Sequence, residues 1–163
     1  MGPCGSGACE VGGRKVRLSS KARYGVRAMA RLYKEYKGEP ISLKEIAKME
    51  MIDEAYLAQL LLKLKNYGLI STERGKSGGY MPAKDAREIT LMDILNAVEE
   101  EIMPLECFVN RAICPLTSSC FTKDFWYNLK QEIEKALSII TLNSIIEKHD
   151  AMPASVKELQ RQI

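Results

Sequence analysis

A chain of 163 residues with 46% hydrophobic and 28% charged residues has the make-up of an ordinary soluble globular protein. It is long enough for one core, or for a small domain with a docking extension. No apolar run approaches the roughly 18–20 residues that span a bilayer, and residues 1–13 are mostly glycine and small side chains rather than an apolar signal stretch, so a cytoplasmic protein with no membrane partner is expected. The net charge of +3 conceals an asymmetry: residues 1–87 hold 17 Lys/Arg against 9 Asp/Glu (net +8), and residues 88–163 hold 7 against 12 (net −5). A basic half joined to an acidic half suggests that one end meets polyanions while the other meets protein or a cofactor; chance segregation of surface charge is the alternative.

The first helix starts at Ser19 or Ser20, either of which can accept from its free N–H groups. Ala22, Val26, Met29, Ala30 and Tyr33 recur at helical spacing as its apolar face, and Arg23, Arg27 and Arg31 line another face. Gly38-Glu-Pro40 stops it. Ser42-Leu-Lys-Glu45 is a capping box that opens a short helix to about Met49, with Leu43, Ile46 and Ala47 inward. Asp53 caps the next helix, from Glu54 to about Tyr67. Its stripe is Leu57, Leu60, Leu61 and Leu64, and Gly68 supplies the left-handed turn that ends it. Two short helices joined in this way form a helix-turn-helix pattern, which many helical proteins share.

The following segment sharpens the pattern. Leu69-Ile-Ser-Thr-Glu73 reads as a strand, Arg74-Gly-Lys-Ser-Gly-Gly79 as a turn and Tyr80-Met81 as the returning strand. That hairpin is a wing with Arg74 and Lys76 at its tip. Gly75-Lys76-Ser77 is not a phosphate loop, because Ile70 stands where that loop needs its first glycine. Thr90-Leu-Met-Asp93 caps a helix to about Glu99, with Leu91, Ile94, Leu95 and Val98 buried. Pro104 ends any continuation, and a loop runs from about Glu106 to Cys120. A long helix then extends from Lys123 or Asp124 to about Ile140. Thr141 caps a shorter one to about Lys148, and the tail after Pro153 is polar. The predicted fold class is mainly α with a small β-hairpin: a winged helix-turn-helix with a long C-terminal helix.

Cys107, Cys114 and Cys120 are separated by six and five residues within that loop. Five cysteines make no even disulfide framework, and clustered cysteines in a reducing compartment bind metal or do redox chemistry more often than they staple. Cys4 and Cys9 lie in the glycine-rich leader. There is no Cys-x-x-Cys pair and one histidine, His149, which disfavours an enzyme such as a thiol oxidoreductase.

These residues resemble the IscR/NsrR/CymR-type (Rrf) family of bacterial winged-helix regulators over about residues 16–146. The resemblance is carried by Leu18-Ser-Ser-Lys-Ala-Arg-Tyr-Gly-Val-Arg27, Ile41-Ser-Leu-Lys-Glu-Ile-Ala47, Tyr56-Leu-Ala-Gln-Leu-Leu61, Arg74-Gly-Lys-Ser-Gly-Gly-Tyr80 and Ile89-Thr-Leu-Met-Asp-Ile94, followed by the three cysteines. It implies a homodimer held by the long helix, a palindromic double-stranded DNA operator and, in cysteine-bearing members, an iron–sulfur cluster. Other members lack the cluster and act through a partner enzyme.

On this reading the helix from Glu54 enters the major groove. Ala55, Ala58 and Gln59 lie opposite its leucines, and Gln59 can make the paired contact to adenine. The family often has Glu where Ala58 stands, so base choice shifts toward the wing, where Arg74 can enter a narrow minor groove. Arg23, Lys44, Lys63 and Lys76 are the phosphate candidates, and Tyr56 packs at the turn with its hydroxyl in reach of a phosphate.

The cluster ligands are Cys107, Cys114 and Cys120, in a [2Fe-2S] or [4Fe-4S] centre. The fourth ligand is open. Lys123 stands where IscR-like members have His, and Arg23 where nitric-oxide sensors have an acid. Asp124, Glu106, His149, Cys4, Cys9 or an exogenous ligand are the candidates. The expected organisation is a tail at 1–15, a DNA-binding domain at 16–87, cluster loop and dimer helices at 88–150, and a tail at 151–163. The expected function is a dimeric transcription regulator that senses redox state, nitric oxide or iron–sulfur status. The alternative is a cluster-free regulator of the same fold working by thiol redox or through a partner protein; a small-molecule or protein effector is left open as a partner of either.

Overall fold

A computed structural model describes residues 19–75, 78–98 and 119–152. Cys4, Cys9, Lys76, Glu106, Cys107, Cys114 and most of both expected tails lie outside the described residues. Helix α1 (Ser20–Glu35) begins at Ser19, whose hydroxyl accepts from the Ala22 N–H at 3.2 Å. It buries Ala22, Gly25, Ala28, Met29 and Leu32, while Val26, Ala30 and Tyr33 pack half-buried at the edge of the core. The buried stripe is therefore rotated from the one expected. The reason is close approach: small residues mark where helices meet. A Cβ placed on Gly25 would stand 2.9 Å from Val98 Cγ1.

Helix α2 (Leu43–Glu50) opens on the expected capping box. The Glu45 N–H donates to Ser42 Oγ at 3.3 Å, and the Ser42 N–H donates to Glu45 Oε2 at 3.0 Å. It ends at Met51, whose φ of 52° is the one positive value at a non-glycine residue among those described. Helix α3 (Glu54–Asn66) is capped by Asp53, which accepts from the Tyr56 N–H at 2.9 Å, and it buries Leu57, Leu60, Leu61 and Leu64. Gly68, at φ 79°, turns the chain out of it as expected.

Strands β1 (Ile70–Glu73) and β2 (Gly79–Pro82) pair antiparallel, with Ile70 opposite Pro82 and Glu73 opposite Gly79. A bridge that the sequence did not suggest joins this hairpin to the chain before α2: Ile41 and Tyr80 exchange backbone hydrogen bonds at 2.9 and 2.8 Å.

Helix α4 (Leu91–Ala97) carries the capping box of Thr90 and Asp93. Helix α5 (Lys123–Ile139) follows, then α6 (Leu142–Ala151), which runs past Lys148 to Ala151. Thr90 and Thr141 face each other in a second bridge: the Leu91 N–H donates to Ile140 O and the Leu142 N–H to Ile89 O, each at 2.8 Å. The core is continuous through α1, α2, α3, β1, Ile89, α4 and Leu142. Helix α5 stands apart from it. None of its residues is buried, and Phe125, Tyr127, Leu129 and Ile139 are exposed.

Two backbone positions give opposite expectations in chemical denaturation. Gly25→Ala forces α1 off Val98 and should lower stability by about 1–3 kcal/mol, the usual cost of overpacking. Met51→Gly removes a left-handed Cβ conflict and should raise it by about 1 kcal/mol.

Candidate functional site

The leucines that seat α3 in the core leave its opposite face outward. Ala55 and Gln59 are exposed there and Ala58 is half-buried, so the Gln59 amide is free to meet a base edge. Arg74 is exposed at the start of the wing turn, Lys44 is exposed on α2, and Lys63 is half-buried on α3. Tyr56, in the first turn of α3, packs edge-on against Tyr24 of α1, with ring centroids 5.9 Å apart at 81°. Arg23 is exposed and lies over the same Tyr24 ring, its Cζ 4.8 Å from the centroid and its Nη2 donating to the Tyr24 hydroxyl at 3.2 Å. The structure thus sets Arg23 and Tyr56, distant in the chain, against the same Tyr24 ring.

The three arginines of α1 do not act alike. Arg27 donates from Nε to Glu50 Oε2 at 2.8 Å and from Nη2 to the Glu50 carbonyl at 2.6 Å. Arg31 donates from Nε to Glu50 Oε1 at 2.7 Å and from Nη1 to Glu35 Oε1 at 3.1 Å. Burial lowers the pKa of Arg31, but hydrogen bonds to Glu50 and Glu35 outweigh it and hold the guanidinium above its ordinary value. Glu50, the buried charged residue of the described core, is 6% exposed, and its carbonyl is one of those that a helix C-terminus leaves unpaired. Arg27 supplies that carbonyl with a donor and places a cation at the negative end of α2. Two arginines are therefore occupied in joining α1 to α2, and Arg23 is left to face outward.

Cys120 is a half-exposed free thiol shortly before α5. Its Sγ lies 3.5 Å from Thr122 Oγ1, which accepts from Trp126 Nε1 at 3.2 Å. An indole N–H can only donate, so the Thr122 hydroxyl keeps its own proton for the sulfur. Hydrogen bonds from the Thr122 side chain and amide lower the thiol pKa against a small burial penalty, and the amide and charge of Lys123 add to this. The thiolate is the form that binds metal, so this residue suits a soft metal ligand. Among the described residues no group of three His, Cys, Asp or Glu side chains could hold a metal ion. The expected partners of Cys120, Cys107 and Cys114, lie outside them.

The model for the Rrf2 family, described as an iron-dependent transcriptional regulator, matches residues 18–148. This chain belongs to the Rrf2 family. It is 31% identical over 147 residues to the HTH-type transcriptional regulator IscR of Klebsiella pneumoniae strain 342, covering 90% of each. CymR (YrzC), the global cysteine regulator of B. subtilis, superposes with a TM-score of 0.65 at 30% identity, over 82% of this chain and 98% of that one. IscR of T. potens superposes with a TM-score of 0.68 at 32% identity, over 85% and 93%. An Rrf2 chain is a transcription regulator rather than an enzyme, and membership supports operator DNA binding and homodimer formation. Among the described residues no helix is long and apolar enough to cross a membrane.

In this Rrf2 chain His149 and Asp124 stand differently toward the thiol. His149, near the end of α6, lies 3.5 Å from Lys34 Nζ and 3.4 Å from Asp150 Oδ1, and Lys34 also pairs with Asp150. Those contacts tie α6 to α1. Asp124 is exposed in the first turn of α5, four positions after Cys120. Sequence reasoning missed Glu50, Tyr24 and Thr122. The available signal for Glu50 was its spacing of four from Ile46, which puts a carboxylate on the inward face of α2.

Glu50→Ala should cost about 2 kcal/mol, less than a fully buried pair because Arg27 and Arg31 keep 41% and 29% of their side-chain surface exposed. Urea midpoints for this variant and for Arg27→Ala check it. Losses that simply add in the double variant would show the pair to be uncoupled.

Proposed function

We propose that this chain is a dimeric transcription regulator whose operator affinity is set by an iron–sulfur cluster on Cys107, Cys114 and Cys120. The observation that carries the reading is the set of three cysteines separated by six and five residues ahead of α5 in a chain of this family, with Cys120 Sγ 3.5 Å from the Thr122 hydroxyl supporting it. When bound, the cluster supplies an iron centre able to change redox state or react with oxygen or nitric oxide. The protein's part is to hold sulfur in its ionised form and to connect that sulfur to the reading head.

The connection runs through packed elements. Cys120 leads into α5, the end of α5 is bridged to α4 at Thr90 and Thr141, and α4 meets α1 at Gly25 and Val98. In the reading head, Gln59 and Ala55 face the bases and Arg74 enters the minor groove. Arg23, Lys44, Tyr56, Lys63 and Lys76 hold phosphates. Residues 16–87 form the reader and 88–150 the sensing and dimerising part, with tails at 1–15 and 151–163. The apolar residues left exposed on α5 suit a second copy of the chain. A second reading, favoured by the likeness to CymR, is a cluster-free regulator that answers through its thiols or a protein partner.

Oxygen-free purification with iron and sulfide counts separates the two. Wild type should carry visible absorbance and Cys107→Ala should lose it. Colourless, iron-free protein after reconstitution leaves the second reading. With operators selected from a random duplex pool, holo and apo forms at fixed salt should differ in affinity about 5–150-fold, the usual range of such coupling. Phe125→Glu with Ile139→Glu should give a monomer by light scattering that binds single half-sites; a variant that stays dimeric places the interface elsewhere.

A further inference from the structure

We infer that Tyr24 is the positioning residue of a phosphate clamp at the junction of α1 and α3, holding Arg23 and the Tyr56 hydroxyl toward the DNA backbone beside the groove that α3 reads. The inference rests on the DNA-binding reading and deepens it, since the clamp's organising residue contributes no charge of its own. Arg23 is a long, exposed side chain, and a free arginine loses rotamer freedom when it grips a phosphate. Here that freedom is already restricted. The guanidinium lies 4.8 Å from the Tyr24 ring centroid and donates to its hydroxyl at 3.2 Å. Among the described residues no carboxylate pairs with Arg23, so its charge and remaining N–H donors are left for an external anion.

The ring itself is fixed from two further directions. Arg27, held by Glu50 through two hydrogen bonds, has its Cζ 5.6 Å from the centroid, and Tyr56 meets the ring edge-on at 5.9 Å. The order of support is buried carboxylate, Arg27, Tyr24, then Arg23 and Tyr56. Tyr24 is only half-buried, and core filling alone would be served as well by leucine. Leucine, however, offers neither the electron-rich face that attracts guanidinium groups nor the hydroxyl that accepts from Arg23. Phosphodiester oxygens are the ligand class: the clamp presents a cation and phenol donors at the end of the helix that enters the groove, where backbone contacts set register without reading sequence.

The test uses the full-length protein with a selected operator and a scrambled duplex, titrated by fluorescence anisotropy over a tenfold salt range. Arg23→Gln should reduce the slope of log affinity against log salt by about one per protomer. Tyr24→Leu should weaken both duplexes by the same factor, about 5–10-fold, and flatten the slope in the same direction. Tyr24→Phe keeps the ring and should lie between Tyr24→Leu and wild type. Gln59→Ala serves as the contrast, changing preference between duplexes but not the slope. A folded Tyr24→Leu with wild-type affinity and slope overturns the proposal, as does a loss confined to the operator. Should Tyr24→Leu unfold, the cycle of Arg23→Gln with Tyr24→Phe decides: coupled losses support the clamp and additive ones overturn it. Wild-type protein that binds neither duplex would defeat the DNA-binding reading beneath it.

Discussion

The Glu50 carboxylate, sunk between Arg27 and Arg31, is the contact on which the placement of α2 against α1 depends. It sits at the end of α2, so it fixes where α2 stops relative to α1, and α3 begins three residues after the next position, Met51. Burying a carboxylate is costly unless its oxygens are paired, and here both are, one to each arginine. The result is a directional joint in a region otherwise packed by interchangeable aliphatic side chains. Leucine stripes hold α3 against the core, but they would tolerate small rotations. A charge pair with fixed geometry tolerates fewer, and it sets Arg27 with its Cζ 5.6 Å from the centroid of the Tyr24 ring.

The opposite end of the protein is organised by a different economy of contacts. Helix α5 adds no buried residue to the described core and is anchored at its end, where the backbone bridge of Thr90 and Thr141 joins it to α4 and α6. Its start carries the Trp126–Thr122–Cys120 series of hydrogen bonds, which stabilises negative sulfur without a buried cation. The chain's charge also splits along its length, basic before residue 88 and acidic after.

Much of the fold was legible because its signals are local. Ser42 with Glu45, Asp53, Thr90 with Asp93, and Thr141 each cap the helix they were expected to cap, and Gly68 turns where a left-handed residue was required. The outward placement of Gln59, Ala55 and Arg74 followed from the leucine period and the hairpin pattern. What sequence did not disclose depends on contacts between distant segments. The rotation of the α1 stripe is set by Gly25 against Val98 and the division of labour among three arginines by Glu50; neither has a periodic signature. Met51 was unreadable for another reason: a methionine in a left-handed conformation breaks the glycine habit that makes such turns recognisable.

The bridge between Ile41 and Tyr80 has a consequence for how a signal can act. A Cβ on Gly79 would collide with the Ile41 carbonyl oxygen, so the hairpin lies flush against the strand-like segment that feeds α2. The hairpin is therefore tied to the entry of α2 by backbone contacts that leave no room for a side chain between them. Under the proposed reading, an event arriving through α4 would have little freedom to retune which bases one hairpin-bearing head prefers. It would instead alter the stagger between the two heads of a dimer, making the number of base pairs between half-sites, rather than their letters, the regulated quantity.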